Sequence, residues 1–330
     1  MWQIVGHEKA VGLLDRSLKN ERLAHAYLFV GPSHVGKMRL AIDLAKALNC
    51  QGEDRPCSAC DQCVRIEELK HADVQVICLD GRAEIGIDQM RDMQHSASLR
   101  PFEGRYRVFI IDGAEHLSHE ATNCLLKTLE EPPSNVQLIL LAINEKRLLP
   151  TVLSRCQKLE LRPLPIAAVQ NALTERWGIP KEMAMTLAKL SSGCVGWAVS
   201  ASKDERILRE RSERLASLLR LTEEELAERF SYAGQLANQF GRDRQSVHEL
   251  LSLWIGWWRD LLLTKGGCGY CISNADQEER LREETQSYSL SAIKVFVESL
   301  QQTMTQLEQN ANPRLVLEVL MLSMPIRKGD

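Results

Sequence analysis

Residues 31–38 read Gly-Pro-Ser-His-Val-Gly-Lys-Met, with an apolar run on either side. The preceding run, Ala26-Tyr-Leu-Phe-Val30, has the pattern of a buried strand, and the following one, Leu40 to Leu48, has helical spacing. A strand, a glycine loop and a helix start bring backbone N–H groups round a phosphate, and the helix dipole and the Lys37 ammonium add positive potential. Gly31, Pro32, Ser33, His34, Val35, Gly36, Lys37 and Met38 are therefore read as a nucleotide-binding set, for ATP or ADP, against the plainer reading of a glycine turn without a ligand. The usual residue after the lysine is Ser or Thr, whose hydroxyl holds magnesium. Met38 has no oxygen to offer, so the magnesium site is weakened.

A second apolar run, Arg105 to Asp112, reads as a buried strand ending in an acid, placed to hold the magnesium shell. The next residue, where a water-activating Glu commonly sits, is Gly113. Glu115 is close in sequence but lies past the strand end, so it is a weak substitute for that base. Asn135 to Asn144 reads as a third strand and Gln157 to Leu161 as a short fourth. Strands alternating with helices predict a doubly wound α/β P-loop domain, a parallel sheet flanked by helices, with its ligand at the carboxyl ends of the strands. Asn144 falls there. It either senses a γ-phosphate or caps the following turn.

The formal charge of −3 over 330 residues gives no whole-chain basic field toward DNA or membranes. No apolar run is long enough to span a bilayer, and the first residues lack the basic and apolar regions of a signal peptide. Ten cysteines without an export signal point to a reducing, cytoplasmic setting, in which clustered thiols bind metal more often than they form disulfides. Four cluster tightly: Cys50, Cys57, Cys60 and Cys63. Four thiolates at this spacing suit a closed structural zinc site in a small insertion, with an iron–sulfur cluster as the alternative ligand-set reading. Cys268 and Cys271 lack a second pair and read as incidental, and Cys78, Cys124 and Cys194 are expected to be core thiols.

Taken together, Gly31 to Lys37, Ile111-Asp112, Asn123 to Pro133 and Leu148 to Cys156 resemble bacterial DNA polymerase III clamp-loader subunits of the AAA+ class. The cysteines sit where that family carries its zinc module. His71 to Val74, Ile87 to Arg91, Trp258 to Leu262 and Asn310 to Leu315 extend the resemblance over nearly the full length. It implies a subunit of a hetero-pentamer with gamma/tau-type ATPase subunits and a delta subunit, which loads a sliding clamp on primed DNA in replication. It also implies that Arg155, within Ser154-Arg-Cys156, reaches the ATP site of a neighbouring subunit. Without the resemblance, an arginine paired to a carboxylate of its own domain would be the simpler reading. Active loader ATPases carry an arginine in a Gly-x-x-Gly-Arg-Ala stretch of the lid. Here Ser192-Gly-Cys-Val-Gly-Trp197-Ala198 places Trp197 at that position, and indole cannot replace a guanidinium on a phosphate.

Pro163-Leu-Pro165 marks a stiff joint. The expected organisation is a nucleotide-binding domain over 1–163 with the zinc module at about 50–63, a small helical lid over 164–205 and an all-α collar domain over 206–330. The mixed-sign segment from Asp204 to Arg214 reads as a solvated helix face. Trp254, Trp257 and Trp258 share a helix face and suit buried packing or a subunit contact better than base stacking. Lacking the magnesium hydroxyl, the catalytic Glu and the sensor arginine, the chain is expected to be a largely hydrolysis-incompetent stator. The alternatives are an active gamma/tau-type or autonomous P-loop ATPase, or a zinc-dependent nucleic-acid module with vestigial nucleotide binding.

Overall fold

The computed structural model describes residues 2–82, 84–309 and 311–327. Asn310, the first residue of one stretch that carries the resemblance, lies outside them. The described chain forms two compact units, Met1–Ala168 with Gly193–Trp197, and Val169–Ser192 with Ala198–Asp330.

The first unit begins with α1 (Glu8–Lys19), β1 (Ala26–Val30), α2 (Lys37–Asn49) and α3 (Asp61–Glu67). It continues with β2 (Val74–Ile77), α4 (Ile87–Ser98), β3 (Arg107–Asp112), α5 (His119–Glu130), β4 (Val136–Ala142), α6 (Pro150–Leu153) and β5 (Gln157–Glu160). All paired strands run parallel, in the order β2-β3-β4-β1-β5. β1 and β4 are buried at every position, as expected of central strands with helices on both faces. One apolar core packs against each face of the sheet. Leu28, Ile111 and Leu140 lie in one, and Phe29, Ile110 and Leu141 in the other. The alternation follows from the two-residue period of a strand.

The sequence reading named four strands; β2 is a fifth. Its Val-Gln-Val-Ile run is four residues long, places exposed Gln75 among apolar residues and forms the sheet edge, so it carries too little apolar signal to be recognised alone. Asp73 anchors its start. The carboxylate, 1 % exposed, accepts N–H groups from Phe102 (2.7 Å), Glu103 (2.9 Å) and Gly104 (2.8 Å), with the Arg107 Nη2 at 3.1 Å. Burial alone would raise this carboxyl, but those donors outweigh it and hold it below the usual carboxylate range. The stabilisation is therefore present above the ordinary carboxylate pKa and fades as pH falls through the depressed folded value. Replacing Asp73 with Ala strands three donors and a guanidinium. A loss of about 3 kcal/mol is expected, read from the urea dependence of amide exchange in β3; an unchanged profile would contradict it.

The second unit is helical. α7 (Ile166–Trp177) enters it, followed by α8 (Lys181–Leu190), α9 (Val195–Lys203, its first turn counted with the sheet unit) and α10 (Glu205–Glu223). Then come α11 (Leu226–Arg242), α12 (Arg244–Lys265), α13 (Glu278–Ser287), α14 (Leu290–Glu308) and α15 (Pro313–Ser323). Trp254, Trp257 and Trp258 on α12 are all buried. Trp258 lies edge-on to Tyr288 at 5.0 Å and to Phe296 at 4.9 Å. Their rings are core, leaving no face to stack on a base. The α10 segment is not wholly a solvated face: Arg211 is buried and donates to Asp276 (2.9 Å) and to Asn274. Asp260, also buried, holds the Ser273–Asn274 loop through the N–H groups of Ser273 (2.8 Å) and Asn274 (2.7 Å). No described helix is long and apolar enough to cross a membrane.

Candidate functional site: a phosphate loop and a thiol cluster

The loop between β1 and α2 closes over the carboxyl end of the sheet. Gly31 N–H donates to the Ala142 carbonyl at the end of β4 (3.1 Å), and Leu161 N–H to Val30 O (2.7 Å). Gly36 caps α2 at φ 116°, a conformation that strongly favours glycine. His34 also has a positive φ, of 60°. The Lys37 ammonium donates to the carbonyls of Gly31 (2.6 Å) and Pro32 (2.9 Å), which engages two of its three donors. Burial lowers the Lys37 pKa, and the nearby carboxylates of Glu115 and Asp112 work against that shift. Asp112 ends β3 beside it. Burial raises its carboxyl and the Lys37 charge opposes the rise. The Lys37 ammonium and the N-terminus of α2 favour an anionic ligand, and the carboxylates of Asp112 and Glu115 beside them oppose it.

Met38 follows on α2, as the sequence requires. Gly113 sits at φ 78°, and a Cβ built there would lie 3.1 Å from the His116 ring. The position after Asp112 therefore strongly favours glycine and carries no side chain that could activate water. Glu115 is drawn into the site, but its Oε1 accepts the Ile143 N–H at 2.9 Å, which ties it to the end of β4. Asn144 accepts the Lys146 N–H at 3.0 Å and so caps a short 3-10 turn, Glu145–Arg147. Pro32, Ser33 and Val35 complete the loop, with Val35 buried in the core beneath it.

Sequence reasoning missed what lies on this loop. The Gly196 N–H, in the first turn of α9, donates to His34 O at 2.9 Å, and Leu164 N–H to Gly193 O at 2.9 Å. Cys194 packs partly buried against the core and near Lys37. Burial raises its thiol pKa, and the Lys37 charge works against the rise. Residues 193–197 therefore strap the loop, and Trp197 is half-buried in that strap. The two glycines at 193 and 196, which let backbone approach backbone, were the available signal. Arg155 follows α6. Its Nη2 pairs with Glu130 at 2.9 Å and its Nη1 donates to Thr151 O at 3.0 Å, with 34 % of the side chain exposed.

The Sγ atoms of Cys50, Cys57, Cys60 and Cys63 lie within 4.8 Å of one another. Cys50 directly follows α2, and Cys63 lies in α3. For a tetrahedral ion with bonds of about 2.3 Å, neighbouring sulfurs stand about 3.8 Å apart; Cys57 and Cys63 stand at 4.0 Å. Backbone N–H groups point at the sulfurs at 3.3 Å, from Gly52 and Cys57 onto Cys50 and from Cys60 onto Cys57. Such donors suit thiolate charge, so the four residues fit a metal ion and could hold zinc. Among the other thiols, Cys124 is buried and Cys194 half-buried, but Cys78 is exposed and is no core residue.

The parallel sheet, the phosphate loop after its interior strand β1 and the following helical region make this an α/β P-loop protein. A sequence model described as "DNA polymerase III, delta subunit" matches residues 6–165, and one described as its C-terminal part matches 208–324. The chain is 27 % identical to the DNA polymerase III subunit delta' of Bacillus subtilis over 95 % of this chain and 94 % of that one. It is 37 % identical to the tau subunit of Salmonella typhimurium over 52 % of its length but only 26 % of that longer protein. A DNA polymerase III gamma subunit-related protein from Thermotoga maritima is similar in structure, with a TM-score of 0.44, 18 % identity and coverage of 94 % of this chain and 97 % of that one. The chain belongs to the DNA polymerase III clamp-loader family of delta-prime and gamma/tau subunits.

Proposed function

We propose that the protein is the delta-prime-type subunit of a clamp loader: a stator that does not complete hydrolysis itself and lends Arg155 to a neighbouring ATPase subunit. The observation that carries this reading is the uneven state of the site. Lys37 and the loop are retained, while the hydroxyl at position 38 and the carboxylate at position 113 are both replaced by residues that cannot do their work. In trans, the Arg155 guanidinium would lie against the γ-phosphate held by the neighbour and offset the charge that develops on transfer. The Glu130 pair must then open. As a half-exposed ion pair it holds Arg155 by only about 0–1 kcal/mol.

In this reading the partners are gamma/tau-type ATPase subunits and a delta subunit in a hetero-pentamer, with the sliding clamp and primed DNA met through the complex in the cytoplasm. Residues 1–163, 164–205 and 206–330 serve as the nucleotide-binding, lid and collar domains. ATP or ADP occupies the loop with a weakened magnesium site, and zinc fills the thiol cluster as a closed, structural ion. Asp112 faces that nucleotide, and Asn144 caps the turn that follows β4. Met38 and Gly113 disfavour the autonomous ATPase; Glu115 is held by the Ile143 N–H through Oε1 alone, and its buried Oε2 has no hydrogen-bond partner.

Reconstitution tests the assembly. Purified chain mixed with gamma/tau-type and delta subunits should co-elute in one complex, and clamp loading on primed circular DNA should require it. Full loading without this chain would overturn the reading.

A further inference from the structure

The thiol cluster and the phosphate loop sit at opposite ends of α2, and one carboxylate ties the two. Glu67 closes α3, four residues after Cys63 and on the same helix face. Arg39, in the first turn of α2, grips it with two bonds: Nη1 to Oε1 at 2.6 Å and Nη2 to Oε2 at 2.7 Å. Lys46, in the last turn of α2 and 1 % exposed, donates to the same carboxylate. Glu67 of α3 therefore holds both ends of α2.

The linkage runs on to the loop. Arg39 Nε and Nη2 also reach Asp43 Oδ1, at 3.1 and 2.7 Å. Asp43 is fully buried, and its Oδ2 accepts the N–H groups of Gln3 (2.7 Å) and Ile4 (2.9 Å). That N-terminal segment lies against the phosphate loop. A Cβ on Gly36 would stand 3.4 Å from Ile4 Cδ1, and the His7 ring meets Val35 O at 3.3 Å.

We propose that Glu67 is a positioning residue through which metal occupancy of the four cysteines sets the first turns of α2, and with them the phosphate loop. α3 spans seven residues, too few to be stable as an isolated helix. A metal ion fixes it by fixing Cys63, and the placement of α3 fixes Glu67. When α3 loosens, the buried Lys46 ammonium loses its counter-charge, and an unpaired buried ion is strongly destabilising. Coupling of this kind is reciprocal, so an anion that orders the loop also tightens the metal site.

The inference rests on the reading of the cluster as a zinc site, so zinc content per chain is measured first. Amide exchange is then followed in residues 3–7 and 37–43 of the full chain, zinc-loaded and after chelation. In the wild type, chelation should speed exchange there by about tenfold or more, within the usual range of coupling between sites. Glu67→Gln should still bind one zinc, should exchange fast with zinc present, and should respond little to chelation. Should that variant fail to fold, Arg39→Gln cuts the same link from the α2 side and should behave alike. An equal response to chelation in wild type and variant, or none in either, overturns the coupling. Wild type that takes up no zinc overturns the metal reading itself, and the coupling with it.

Discussion

Replacing Arg155 with alanine will leave the chain folded and assembled, yet will cut ATP turnover at the neighbouring subunit's site by about 10³-fold or more. That is the scale on which an arginine supplied in trans acts on phosphoryl transfer. The fold should not notice. The guanidinium is one-third exposed, its Glu130 partner is half exposed, and its remaining bonds go to Thr151 O and the Ser154 hydroxyl on its own turn. Lysine should not rescue, because a point charge on a flexible stem lacks the planar fork that engages phosphate oxygens. The readout is clamp- and DNA-stimulated hydrolysis by the reconstituted complex, beside its elution profile. Unchanged turnover with an intact complex would remove Arg155 from this role.

The second large effect falls on the thiol cluster. Cys60→Ser should release the metal and loosen residues 50–67. Structural zinc sites contribute on the order of 10–16 kcal/mol to the folding of zinc-finger peptides near neutral pH, so a loss of several kcal/mol of local stability is expected from one missing thiolate. Metal content and amide exchange over that segment report it. Cys78→Ser is the control: its thiol is exposed and outside the cluster, so neither readout should move. A wild-type preparation without metal that exchanges slowly over 50–67 would contradict the site.

Local pattern made much of this protein legible. Ala26 to Val30 is continuous and apolar because β1 is buried on both faces, and the thiol spacing at 57, 60 and 63 brings the sulfurs together through short loops. What stayed hidden depends on pairs far apart in the chain. Nothing near Asp73 announces that it will collect the N–H groups of residues 102–104, and nothing near Asp43 announces Gln3 and Ile4. The Arg211 contacts with Asp276 and Asn274 are equally remote, which is why a mixed-charge run looked like a solvated face. The strap at residues 193–197 was legible as a departure from the lid arginine pattern but not as backbone lying on the loop. Cys78 is exposed because it lies just past the end of the edge strand β2, where apolar neighbours in sequence do not decide burial.

ATP hydrolysis by the isolated, purified chain with magnesium tests the account most directly. No turnover above that of a Lys37→Ala variant prepared in parallel is expected. Brisk hydrolysis by the wild type, abolished in that variant, would contradict it.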